Sequence, residues 1–349
     1  MIKYKKGMIA SLNLFFLLFV SRTIIGFTVS SEALKSRYSM DLVYSTFFAL
    51  LITFLISLPV VICAAKGKSV MNHRLLRVLY GVYFIFSGAV NVAKFAVFSS
   101  TELNQNAKIA VLAGFMILAC TYAASLGIEA VSRFGSMVFV ITLIGAVGVM
   151  AEGASDFSYL NLFPITQNPG ESVLRNILFS VCSTNELVLF IALVPKVNGK
   201  TAKPFYFSLS AAYLVMMVLI AFTIGVLGDT ASLSAYPLFE VSQLSKLGSG
   251  ERLEAIFTAL WIFAVFLKIT LFLYCAGESF SFKKKWVKFS SCGAAMFALS
   301  AFFLYGSVFD SNQEKILYPA FAVFAFVLPL LYLIFGRKRN KIEEDNSHI

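Results

Sequence analysis

The chain has 349 residues, of which 59% are hydrophobic and 13% charged, with a mean hydropathy of +0.82 and a formal net charge of +11. Soluble domains carry roughly 25% charged residues, so this composition excludes a water-soluble enzyme and leaves no room for a separate catalytic domain. Lipid is the main solvent, and the sequence reads as an all-α polytopic membrane protein.

In chain order, apolar stretches are expected to form ten membrane-spanning helices at roughly 8–30, 41–65, 76–99, 108–127, 132–151, 172–195, 204–227, 252–277, 289–309 and 316–335. Each is close to the length of about 20 residues that carries a helix across a hydrocarbon core of about 30 Å. The first follows Lys3, Lys5 and Lys6, is too long for the apolar region of a signal peptide and precedes no small-residue cleavage site, so it reads as an uncleaved helix. Between the seventh and eighth stretches, Tyr236 to Leu244 places apolar residues at helical spacing, which predicts a short helix lying at the outer interface. No linker divides the chain. Residues 1–336 read as one transmembrane permease domain, and 337–349 as a charged cytoplasmic tail.

Basic residues set the expected orientation, because cytoplasmic loops retain Lys and Arg. Nineteen of the 29 fall on the side of both termini, among them Lys66, Arg74, Lys196, Lys203 and Lys283 to Lys285, and seven on the other, such as Lys35, Lys108 and Lys315. Both ends are therefore expected in the cytoplasm. The positive charge also attracts anionic lipid, and no aromatic-interleaved basic patch suggests nucleic acid. The five cysteines, all within or beside apolar stretches, read as packing residues. His73 and His348, the two histidines, have no ligand set beside them, so no metal or other cofactor is expected.

The remaining three basic residues, Arg22, Lys94 and Lys268, lie inside expected spans, as does Glu186. Charges at that depth usually pair, face inward or line a water-filled path. Ten spans also divide into two five-helix halves, and an odd number of helices per half inverts the second copy. Under that 5+5 inverted repeat, with halves at about 8–151 and 172–335, Arg22 corresponds in depth to Glu186 and Lys94 to Lys268.

Spans 1 and 6 would be the discontinuous helices of such a fold. Span 1 carries Ser21, Arg22, Thr23, Ile25 and Gly26 at mid-depth, and span 6 carries a polar run from Ser180 to Glu186 that includes Ser183, Thr184 and Asn185. Side-chain hydroxyls and amides compete with the helical ladder, and Gly26 has no Cβ to resist unwinding. The bland alternatives are hydroxyls bonded back to carbonyls, close helix packing at Gly26, a structural ion pair of Glu186 with Arg22 or Lys268, and snorkelling of Lys94 to the interface. The functional alternative is a substrate site. Exposed N–H groups at a half-helix start would take a carboxylate, and Glu186 or free carbonyls an ammonium, which together suit an α-amino acid. A sugar or nucleoside would satisfy the same groups less specifically. Lys94 and Tyr274 are candidate accessory residues. No paired carboxylates, His-metal set or Ser-His arrangement suggests an enzyme.

Several passages carry a family resemblance: Tyr122 to Ala130, Asn161-Leu162-Phe163-Pro164, Asn185 to Phe190, Tyr236 to Glu240, Arg252 to Phe257 with Trp261, and Phe266 to Tyr274. In order and spacing they resemble the spore germination permeases, the B subunits of Ger-type germinant receptors, within the amino acid-polyamine-organocation (APC) superfamily. The resemblance implies a LeuT/APC-like fold, Glu186 and Lys268 at positions that usually carry those residues, and a site for a small germinant such as an amino acid. It also implies assembly with A and C receptor subunits in the spore inner membrane. One departure is that span 1 has Ser21-Arg22-Thr23 and a single Gly26 where many superfamily members have a Gly-rich break. The competing function is a proton-coupled amino acid transporter of the bacterial cytoplasmic membrane.

Overall fold

The computed structural model describes residues 7–27, 37–67, 69–104, 106–244, 246–247, 251–252, 254–306 and 313–335. Among them, nine helices are long and apolar enough to cross a membrane. They are span 2 (Asp41–Ala65), span 3 (Arg74–Leu103), span 4 (Ile109–Leu126), span 5 (Ile128–Ser155), span 6 (Gly170–Lys196), span 7 (Ala202–Ser232), span 8 (Phe257–Ser279), span 9 (Lys285–Tyr305) and span 10 (Lys315–Phe335). The shorter helix Ser11–Phe27 is span 1. The ten expected stretches are all present, and the fold is an all-α polytopic one.

Boundaries follow from local chemistry. Gly127 alone separates spans 4 and 5, at φ +98, a left-handed conformation that any side chain would strain. A π turn at Val323–Val327 interrupts span 10, and the hydroxyl of Tyr80 donates to the carbonyl of Phe324 within it, 2.7 Å away. Pro59 lies inside span 2, where membrane helices tolerate it because neighbouring groups satisfy the released backbone.

The packing repeats with an offset of five spans. Span 1 packs on span 7 and span 6 on span 2; span 1 meets span 5 and span 6 meets span 10; span 3 meets span 9 and span 8 meets span 4. Spans 3 and 8, 2 and 7, and 4 and 9 pair with their own counterparts. This is the neighbour pattern of a five-plus-five inverted repeat. Span 8 is the most buried of the nine long spans, enclosed by spans 1, 3, 4 and 5. Gly88 of span 3 lies so close to span 9 that a Cβ there would fall 2.3 Å from a methyl of Met296.

The outer helix is present at Pro237–Leu244, but it is not a surface helix. Leu238, Phe239 and Val241 are buried, with Phe239 against Phe98 and Phe257. An amphipathic pattern records one apolar face without saying whether lipid or protein covers it, and here spans 7 and 8 do. The tail 337–349 lies outside the described residues.

At the end where span 8 turns into span 9, Glu278 accepts hydrogen bonds from Lys196 of span 6, at 2.8 Å, and from Lys288 of span 9. At the same end, Ile9 and Ala10 pair in parallel with Val197 and Asn198, joining the start of span 1 to the end of span 6. All three charged groups keep part of their surface in water, so Glu278→Gln is expected to cost about 1 kcal/mol or less at low salt and less still at high salt. Thermal unfolding in detergent at two ionic strengths checks this, and a salt-independent loss would mean that packing, not charge, carries the contact.

Candidate functional site

The centre of the molecule is organised by the break in span 6. Its first half ends at Cys182 and its second begins at Glu186, so the interruption falls on Ser183, Thr184 and Asn185, as the sequence suggested. The local cause is hydrogen-bond competition. The Thr184 N–H turns to the carbonyl of Val181, and the Ser180 carbonyl receives side chains: Thr184 Oγ1 at 3.0 Å, Arg22 Nη2 at 3.1 Å and Tyr213 OH at 3.5 Å. On the far side of the break, Asn185 precedes the second half-helix, and its Oδ1 accepts from Tyr83 OH of span 3 at 2.6 Å.

Glu186 opens that second half-helix, where the positive end of the helix dipole favours a carboxylate. It is fully buried. Its Oε1 accepts from Ser21 Oγ at 2.7 Å and from Lys268 Nζ at 3.0 Å, and Lys268 Nζ also donates to the Ser21 carbonyl at 2.9 Å. Spans 1, 6 and 8 are thus joined through three residues. A carboxylate and an ammonium at 0% and 1% exposure are held only because each is the other's partner. The second carboxylate oxygen, Oε2, has no hydrogen-bond partner among the described residues.

Arg22 does not pair with Glu186. Its guanidinium lies over the Tyr213 ring, 4.3 Å from the centroid, and Nη2 donates to both the carbonyl and the hydroxyl of Ser180. Nε and Nη1 are buried and have no partner among the described residues. Such groups typically cost about 1–3 kcal/mol each, more when charged. Tyr213 also bonds Thr184 Oγ1 at 2.7 Å and Thr53 Oγ1 at 3.1 Å, which ties spans 2 and 7 to the break.

Of the expected site residues, Arg22, Thr184, Asn185, Glu186 and Lys268 therefore converge on or beside the break. Ser183 sits in it, half-buried. Thr23 takes the bland alternative, its hydroxyl bonded back to the carbonyl of Phe19 at 2.8 Å. Ile25 and Gly26 belong to a backbone that stays helical from Ser11 to Phe27, so the opening expected beside Gly26 is not there, and residues 28–36 lie outside the described ones. Tyr274 is not part of the centre: its ring stacks on Phe289 of span 9, 6.2 Å away. Lys94 is half-buried and makes no hydrogen bond or ion pair with a described residue, but it lies near enough to Lys268 for the two charges to repel. Ser21 and Ser180 were visible only as parts of polar runs, while Tyr213 was missed. A tyrosine in the middle of span 7 was the signal available.

Comparison with known proteins adds three findings. The family described as spore germination protein, the spore permeases, matches residues 67–316. No curated protein matches the chain. Among solved structures, the chain is similar to a Na+-coupled sialic acid symporter in a substrate-bound, outward-open state, at TM-score 0.61 and 12% identity, over 92% of this chain and 80% of the symporter. At that identity the likeness concerns the fold, and it agrees with the LeuT/APC-like architecture expected from the sequence.

Proposed function

The chain belongs to the spore germination permease family, and from that premise we propose that it is the B subunit of a germinant receptor, binding a small germinant, an α-amino acid, at the break in span 6. The observation that carries this reading is a buried centre whose polar groups are only partly used: Glu186 Oε2 and Arg22 Nε and Nη1 have no partners beside a discontinuous helix. Structural charges that served stability alone would be expected to satisfy one another.

Ser21, Arg22, Thr184, Glu186 and Lys268 are at most 1% exposed, so a ligand reaches them only when the spans that carry and cover them move apart. Binding would then shift an equilibrium between closed and open arrangements by its differential affinity for them. In the receptor reading that shift is the signal, passed to the A and C subunits in the spore inner membrane. Nineteen basic residues on one side against seven on the other support cytoplasmic termini, and the halves of the permease domain fall at about 8–151 and 172–335.

A second reading, proton-coupled amino acid transport, is favoured by the symporter-like fold that covers nearly the whole chain. Two measurements separate them. A thermal-shift screen of the purified chain against amino acids, sugars and nucleosides is expected to give a saturable shift with an amino acid. Reconstituted proteoliposomes are then expected to show no concentrative uptake of that ligand. Concentrative uptake would establish the transporter instead, and a screen in which only sugars or nucleosides bind would overturn the amino-acid assignment.

A further inference from the structure

We infer that Arg22, with Tyr213 and Ser180, forms the carboxylate-binding end of the site, and that the Glu186 side takes the ligand's ammonium group. The inference rests on the ligand-binding reading above and gives the ligand an orientation, which the break in span 6 alone does not.

Three observations converge. First, charge does not balance at the centre. Among the described residues the break gathers two cations, Arg22 and Lys268, around one carboxylate, Glu186, and that carboxylate is engaged by Lys268 rather than by Arg22. An unpaired guanidinium at 0% exposure in a membrane interior calls for an anion.

Second, Arg22 is held in place before any ligand arrives. Nη2 is fixed by the carbonyl and hydroxyl of Ser180, and the cation rests on the Tyr213 ring, itself anchored by Thr184 and Thr53. The planar group therefore needs no reorganisation to offer an unused donor, Nε on one edge or Nη1 on the other, to a carboxylate oxygen. Third, the one unused acceptor recorded on an acidic group of the cluster is Glu186 Oε2. An ammonium needs an acceptor and a carboxylate needs donors, so the unpartnered atoms match the two ends of a zwitterion in only one direction.

The alternative is that Arg22 serves only as a cap for the Ser180 carbonyl released by the break. A cap would make stability depend on Arg22 and leave ligand chemistry indifferent to it. The test uses the full-length chain in lipid nanodiscs and the amino acid that binds in the screen, compared with its amide and its methyl ester, which keep the ammonium and lose the carboxylate charge. The native chain is expected to bind the acid at least about 30-fold more tightly than either capped form, the loss typical of removing one partner from a buried charged hydrogen bond. In Arg22→Gln the preference is expected to shrink to within about threefold, with Arg22→Lys between the two.

Equal binding of acid and amide by the native chain would overturn the orientation while leaving the ligand site intact. A preference that persists unchanged in Arg22→Gln would overturn it as well, by placing the carboxylate elsewhere. Absence of binding by every amino acid in the screen would refute the underlying reading instead. Should Arg22→Gln not fold, the acid, amide and ester series on the native chain still decides against the proposal if the three bind alike. A strong acid preference supports it there, provided Lys268→Met keeps that preference.

Discussion

Lys268→Met is expected to destabilise the protein by about 3–5 kcal/mol, while the double substitution Lys268→Met with Glu186→Gln recovers at least about half of that loss. The single change leaves the Glu186 carboxylate at 0% exposure with Ser21 Oγ as its only recorded partner, and frees the Ser21 carbonyl as well. Removing both charges takes away the desolvation that the pair had to overcome and fills the two positions with neutral side chains of similar volume, leaving Arg22 as the remaining charge beside the break. Unfolding of detergent-solubilised variants by heat or denaturant provides the measurement. A double variant as unstable as the single one would mean that Lys268 acts by packing its stem and by its bond to Ser21, with its charge immaterial.

The coupling also bears on signalling. Ser21, Glu186 and Lys268 belong to three spans, and Lys268 bonds the other two at once. Any motion that opens the break must lengthen these contacts. Their strength therefore contributes to the closed side of the equilibrium that a ligand has to shift, by an amount set by its own differential affinity.

How far this arrangement was legible in the sequence depended on the range of the physics involved. Span positions follow from hydropathy summed over some 20 residues and came through within a few residues, since burial in lipid is demanded locally along the helix. The interruption in span 6 was equally legible, because a run of Ser, Thr and Asn offers the backbone alternatives to the helical ladder, as Thr184 does at the Ser180 carbonyl. Span 1 illustrates the limit. Ser21, Arg22 and Thr23 look just as disruptive, yet their side chains act on the backbone in only one case, Thr23, and there as an ordinary back-bond that keeps the helix intact. Whether a polar run unwinds depends on what its side chains find across the interface, and for Ser21 and Arg22 the partners were Glu186, Ser180 and Tyr213.

The misplaced accessory residue had a more accessible cause. Tyr274 is six positions after Lys268, so at about 100° and 1.5 Å per residue it lies roughly 120° round the helix and about 9 Å further along it, away from the face that Lys268 turns to Ser21 and Glu186. The outer helix had no such remedy. Its apolar spacing was correct, but the choice between a lipid interface and the flank of spans 7 and 8 is a tertiary one.

The second large effect is expected at Asp41, which no motif singled out. It is fully buried at the start of span 2, and its Oδ2 accepts from Ser39 Oγ, from the backbone N–H groups of Gln167 and Asn168, and from Asn168 Nδ2, at 2.7 to 3.0 Å, while Oδ1 accepts from Tyr44 OH. Asn168 Nδ2 further bonds the Arg37 carbonyl. One carboxylate thereby fixes the loop that leads, through Pro169, into the first half of span 6.

Asp41→Ala leaves these donors without their acceptor and is expected to cost about 3 kcal/mol or more, since charge-assisted bonds contribute about 1.5–3 kcal/mol each but share one group. Asp41→Asn is expected to cost less, because its amide oxygen can keep the four donors that converge on Oδ2 while its NH2 faces the Tyr44 hydroxyl, which can accept, although the charge assistance is lost. The loss should extend to ligand binding, as the half-helix that Asp41 anchors ends at the Ser180 carbonyl to which Arg22 is bonded. Thermal unfolding and ligand affinity measured on the same Asp41→Ala preparation test both steps. Lowered stability with unchanged affinity would mean that the position of the Ser180 carbonyl is set by the Arg22, Thr184 and Tyr213 contacts alone, independently of how span 6 begins.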